Sequence, residues 1–110
     1  MTSTPLGSLE LIVLLAVARL GEDAYGLAIR RDISKRTGHD YSVGAVYTTL
    51  ERLAAKGLVS SSKSDPLPVR GGRARRHFKV TAAGQRALRQ AERVTHAVWG
   101  MSDRLGENPA

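Results

Sequence analysis

The residues in this chain best equipped for chemistry are arginines set in a shaped loop. The run VRGGRARRHFKVT at residues 69–81 places Arg70, Arg73, Arg75 and Arg76 among glycines, with Pro66 and Pro68 just upstream. Guanidinium groups on such a loop suit phosphate oxygens, either along a nucleic-acid backbone or inside a minor groove. A second group lies in SVGAVYTTLERLAAK at residues 42–56. There Ser42 and Gly44 are small, Thr48 and Thr49 can meet phosphate or a thymine methyl, and Arg52 can bond guanine bidentately. Tyr47 borders the apolar side of the same segment, so it is a core or rim tyrosine, a phosphate contact or a support of the helix. Lys35, with Arg30 and Arg31, adds cations just upstream.

Other chemistry has little to stand on. His39, His77 and His96 are far apart, without a second histidine or a carboxylate at metal-ligand spacing, so no metal site is expected. The glycine-rich run lacks the lysine and hydroxyl ending of a phosphate loop, and no serine sits in a nucleophile elbow. Cysteine is absent, which removes disulfides and thiolate nucleophiles. We expect no enzyme, no catalytic residue and no cofactor.

The net charge is +7, but it is unevenly placed. Residues 1–29 hold one Arg against three acids, residues 30–79 twelve Lys or Arg against four acids, and residues 80–110 four against three. A basic middle segment is the footprint of a polyanion partner: DNA, RNA or an anionic membrane surface.

The elements that must position these groups follow from periodicity. Ser8 to Leu20 is apolar at almost every position; a strand over VLLAV is the rival, but length and Leu/Ala content favour a helix. Such a helix needs cover on all sides, from its own core and from a second copy, with Leu9 and Val13 at that contact. Gly21 stops it and Asp23 is a fair cap for a second, basic helix, in which Leu27, Ile29 and Ile33 face inward and which ends near Thr37-Gly38. Ser42 caps a third helix over about 43–56, with Val43, Val46, Leu50, Leu53 and Ala54 on its apolar side and Gly57 as its left-handed stop. Two β-rich runs at about 58–80 make a hairpin. Thr81 caps a final helix over 82–106, whose stripe of Leu88, Ala91, Val94, Val98, Met101 and Leu105 has nothing left in the chain to pack on. Trp99 lies beside that stripe, placed for dimer packing or for stacking on a ligand. Residues 107–110 form a disordered tail.

Three helices, a hairpin and a helix make a mainly α fold with a small β-hairpin: a winged helix-turn-helix over 1–81 followed by a long C-terminal dimerisation helix. In that fold the third helix enters the major groove and the wing flanks the backbone.

The same residues resemble the PadR-like transcriptional regulators. The matching pieces are LGSLELIVLLAV at 6–17, AYGLAI at 24–29, GAVYTTLERLAAKGLV at 44–59 and GGRARRHFKVTAAG at 71–84, so the resemblance covers about residues 6 to 88. It implies a homodimeric repressor of the short type with a single terminal helix, bound to double-stranded DNA at an inverted-repeat operator. It also implies a small hydrophobic or aromatic effector meeting Trp99, and a bacterial or archaeal cytoplasm, on the nucleoid when bound. Two other classes stay open: a sequence-indifferent architectural nucleic-acid binder, and a winged-helix module for protein–protein assembly. The opening MTSTPLGSLE has no basic n-region and no apolar run reaches the roughly 20 residues of a membrane span, so no membrane partner is expected.

Overall fold

The computed structural model describes residues 6–63 and 76–101. Along the chain run α1 (Ser8–Leu20), a short 3-10 turn (Gly21–Asp23), α2 (Gly26–Thr37), α3 (Val43–Ala55), β1 (Val59–Lys63), β2 (Arg76–Val80) and α4 (Ala82–Met101). The architecture is mainly helical with one small antiparallel hairpin, a winged helix-turn-helix carrying a long C-terminal helix.

The core is made by α1, α2 and α3 closing over the hairpin. Leu14 and Val17 from α1, Ile29 and Ile33 from α2, Leu50 and Leu53 from α3, and Phe78 from β2 are fully buried in it. Val13 belongs to this core as well, at 0% exposure, which corrects its expected place at a dimer contact. At 100° per residue the outward position of α1 falls two residues on, at Leu15, which is exposed. Leu9 and Leu88 are likewise half-buried against the chain's own core.

Two ion-paired carboxylates tie the helices together. Glu10 accepts from the Gly7 N–H at 2.9 Å, closing the start of α1, and its other oxygen meets Lys56 Nζ at the end of α3, at 2.8 Å. The Lys56 bond, then the Gly7 N–H, hold the Glu10 carboxyl below its ordinary pKa against the opposing effect of burial. Asp32 on α2 accepts from Arg19 on α1 and from Arg36 one turn on, at 3.1 Å. Burial works to raise the Asp32 pKa, but the bonds from Arg19 and Arg36 outweigh it and hold the carboxyl low.

Asp23 does not cap α2. The chain turns sharply at Gly21, with φ of 58°, and uses Asp23 inside the 3-10 turn, so α2 begins after Tyr25. Tyr25 is taken by a β-bridge to His77, and the Phe78 N–H donates to the Ala24 carbonyl at 2.8 Å, so this stretch flanks the hairpin as a short third edge. Leu27 consequently turns outward and is exposed. Val43, also expected inside, is 51% exposed, because the core ends one turn later at Val46.

The end of α3 is a Schellman motif: the Gly57 N–H donates to Ala54 and the Leu58 N–H to Leu53, both at 2.9 Å, with Gly57 at φ of 74°. The hairpin then pairs Val59 with Val80, Ser61 with Phe78 and Lys63 with Arg76. Thr81 joins its two ends. Its N–H donates to the Leu58 carbonyl at 3.0 Å, its hydroxyl donates to the Gly57 carbonyl at 2.7 Å, and the same oxygen accepts from the Gly84 N–H at 3.0 Å, capping α4. Beyond Ala91 every described side chain of α4 is exposed, Val94, Val98 and Trp99 among them.

Gly84 is where α4 touches this junction most closely. A β-carbon there would lie 2.2 Å from the Leu58 carbonyl oxygen and 2.7 Å from Val80 Cγ1. The first of these is backbone and cannot rotate away. Gly84→Ala should therefore cost about 1 to 3 kcal/mol of unfolding free energy, read as a lowered denaturant midpoint; an unchanged midpoint would show that the junction has slack.

Candidate nucleic-acid interface

α3 presents two unlike sides because its capping and its apolar spacing fix its rotation. Ser42 Oγ accepts from the Ala45 N–H at 3.0 Å, which starts the helix, and Val46, Thr49, Leu50 and Leu53 turn into the core. The opposite side carries Gly44, Thr48, Glu51, Arg52 and Ala55, all exposed. Small and hydroxylated at its first turns and charged further along, this face is narrow enough for the backbone to approach a groove closely. Ser42 is exposed beside it, and its hydroxyl proton remains available as a donor.

Thr49 is not on this face. It is 4% exposed, and its hydroxyl donates to the Ala45 carbonyl one turn back at 2.7 Å, which satisfies the polar atom inside the core. That removes it from the set of expected DNA contacts. Tyr47 is half-buried and its ring lies over Gly26, where a β-carbon would meet the phenol oxygen at 2.3 Å. The contact seats α3 against the first residue of α2, which is the supporting role open to Tyr47.

The cations divide into committed and exposed groups. Lys35, Arg31 and Arg52 are exposed and form no ion pair among the described residues. Arg30 is committed, donating to the Tyr41 carbonyl at 2.7 Å and so fixing the turn between α2 and α3. Arg76, expected among the contacts, is also committed: Nη1 meets Glu51 Oε1 at 2.8 Å, Nη2 donates to Ser61 Oγ at 3.1 Å, and the guanidinium lies 5.3 Å from the centre of the Phe78 ring. Strand alternation directs Arg76 to the inner face of the hairpin, with Phe78 and Val80, so it bridges wing and helix. Arg70, Arg73, Arg75 and Leu105 lie outside the described residues, as do the tail at 107–110 and the side chain of Met101.

Three residues escaped the sequence reading. Glu51 lies on the exposed face seven positions after Gly44, a spacing that helical arithmetic gives directly. Lys63 and Lys79 are exposed on the two strands of the hairpin, adding to the charge expected on the loop and the descending strand. Among the described residues no three His, Asp or Glu side chains gather at metal-binding distance, and no helix is long and apolar enough to cross a membrane.

Comparison with known proteins points the same way. The family model for the transcriptional regulator PadR-like family matches residues 14–90. The transcriptional regulator Rv3488 of Mycobacterium tuberculosis is 38% identical over 72 residues, which is 66% of this chain and 63% of that relative, so the match spans less than two thirds of its length. Among solved structures, a PadR family transcriptional regulator from Eggerthella lenta is 27% identical, with 92% of this chain and 89% of that one covered and a TM-score of 0.70. A PadR-like regulator from Bacillus cereus, at 20% identity with 92% and 93% covered, shares the fold at a TM-score of 0.74.

The two threonines give a direct check on the rotation of α3. Thr48→Ala should weaken binding to duplex DNA several-fold while leaving the melting temperature within about a degree, as expected for an exposed side chain. Thr49→Val should leave DNA affinity unchanged and move only stability. Reversal of that pattern, measured by fluorescence anisotropy and thermal unfolding on the same samples, would mean that α3 is rotated from the position described.

Proposed function

The chain belongs to the PadR-like family of transcriptional regulators, and from that premise we propose that it is a sequence-specific DNA-binding repressor, acting as a homodimer on an inverted-repeat operator. The observation that carries this reading is the exposed face of α3: Gly44 and Thr48 near its start and Arg52 further along, with Lys35 on α2 and Lys63 on the hairpin supplying cations nearby. Small side chains and hydroxyls let the helix enter a major groove, Arg52 supplies a base-reading donor pair, and the flanking cations hold phosphates. Arg70, Arg73 and Arg75 extend the phosphate contacts into the wing.

The homodimer rests on α4 and α1. Val94, Val98 and Trp99 are exposed large apolar residues on α4, and Leu15 is another on α1. A helix of 20 residues with such a stripe is about 30 Å long and needs a partner of matching character, which a second copy supplies. In such a dimer the two recognition helices address half-sites about 34 Å apart.

Selection of bound duplexes from a random pool by the purified protein, alongside its solution mass, tests this reading. Enrichment of an inverted repeat by a species of twice the chain mass is the expected result, and Arg52→Ala should blur one base position in each half-site. Retention of DNA without any enriched sequence would instead indicate architectural binding, and no retention would move the fold to protein–protein assembly.

Release by a flat hydrophobic effector is part of the same proposal. Trp99 is 71% exposed, the most open of the large apolar residues described. A planar compound stacking there should quench its fluorescence saturably and lower operator affinity by the same coupling factor by which DNA lowers affinity for the compound. Saturable quenching with no change in operator affinity would show binding uncoupled from DNA and overturn the release mechanism, and the absence of quenching would assign Trp99 to packing alone.

A further inference from the structure

Glu51 is out of place by charge. It puts a carboxylate on the exposed side of α3, next to Arg52 and one turn from Thr48, on the face that otherwise favours a polyanion. A carboxylate there repels phosphate, and an ion pair this open to solvent contributes little to folding. Its side chain is 59% exposed and that of its partner Arg76 is 36% exposed.

What the pair does accomplish is to fix one acceptor. Arg76 is held from three directions, by Glu51 Oε1 at 2.8 Å, by Ser61 Oγ at 3.1 Å and by the Phe78 ring. The guanidinium thus balances the Glu51 charge and pins the carboxylate toward the hairpin, while Oε2 has no hydrogen bond among the described residues. A charge-balanced acceptor held on a groove-facing helix is selective among base edges. In the major groove guanine shows two acceptors, thymine shows an acceptor and a methyl, and adenine sets an acceptor beside its amine. Cytosine alone offers a donor with no neighbouring acceptor on the same base.

We propose that Glu51, positioned by Arg76, is a specificity-determining residue that accepts a hydrogen bond from the exocyclic amine of a cytosine in each half-site. This rests on the reading of α3 as the base-contacting helix. It predicts a change of preference and not merely a loss, because glutamine at this position presents both an acceptor and a donor, the match for adenine.

The experiment is the random-duplex selection run in parallel on the wild-type chain, Glu51→Gln and Arg76→Gln, with melting temperatures to show that all three fold. The wild type should enrich cytosine at one position per half-site. Glu51→Gln should convert that position to adenine, shifting the cytosine-to-adenine ratio by about tenfold or more, and leave the other positions as they were. Arg76→Gln should keep cytosine preferred by a smaller margin. If both variants weaken binding alike with base identities unchanged, the pair is only a strut between wing and helix and the proposal is wrong. If the wild type enriches no motif, the base-contacting role of α3 fails first and this assignment fails with it.

Discussion

The junction at Thr81 constrains everything around it. One residue's N–H and hydroxyl are bound to two successive carbonyls, those of Leu58 and Gly57, and the same hydroxyl oxygen caps α4. Those carbonyls are themselves placed by the Schellman turn that ends α3. The end of α3, the base of the hairpin and the start of α4 therefore share one small set of hydrogen bonds. None of the three can reorient without breaking hydrogen bonds that the other two share. Gly84 completes the constraint by admitting the Leu58 carbonyl to a position that a side chain would occupy.

Signals carried by a residue and its immediate neighbours could be read from the sequence. Ser42 as a cap, Gly57 as a left-handed stop and Thr81 as the cap of α4 are local hydrogen-bond chemistry, and each falls where its type and spacing place it. Asp23 has the right chemistry for a cap but lost the position to a tertiary contact, the bridge of Tyr25 to His77. Val13 and Thr49 failed for a different reason. Val13 stands in a run apolar at nearly every position, where composition gives no phase, and Thr49 is a polar type buried by satisfying its own helix. For the candidate site, the exposed face with Gly44, Thr48 and Arg52 was legible from periodicity. The Glu51–Arg76 bridge was not, because its partners lie 25 residues apart and meet only once the hairpin folds back onto α3.

Net charge overstates what this surface can offer a polyanion. Arg19 and Arg36 are bound to Asp32, Lys56 to Glu10 and Arg76 to Glu51, and Arg30 is bound to a backbone carbonyl. These cations hold helices in place. Lys35, Arg31, Arg52, Lys63 and Lys79 on α2, α3 and the hairpin, and Arg86, Arg89 and Arg93 on α4, are exposed and form no ion pair among the described residues. A polyanion would therefore meet fewer available cations than the composition counts, and counterion release would draw on this exposed set and on the loop arginines.

The far part of α4 has a mechanical meaning. From Gly84 to Met101 it is a rod of roughly 26 Å, so turning it by about 10° would sweep its free end through roughly 4 to 5 Å. Its root is closely packed, since the Leu58 carbonyl occupies the space that a side chain at position 84 would need. A turn imposed at the outer end is therefore applied, at the root, to the base of the hairpin and the end of α3, which Thr81 joins to α4. The helix has the form of a crank, with its handle clear of the chain's own core and its axle set between the hairpin and the end of α3.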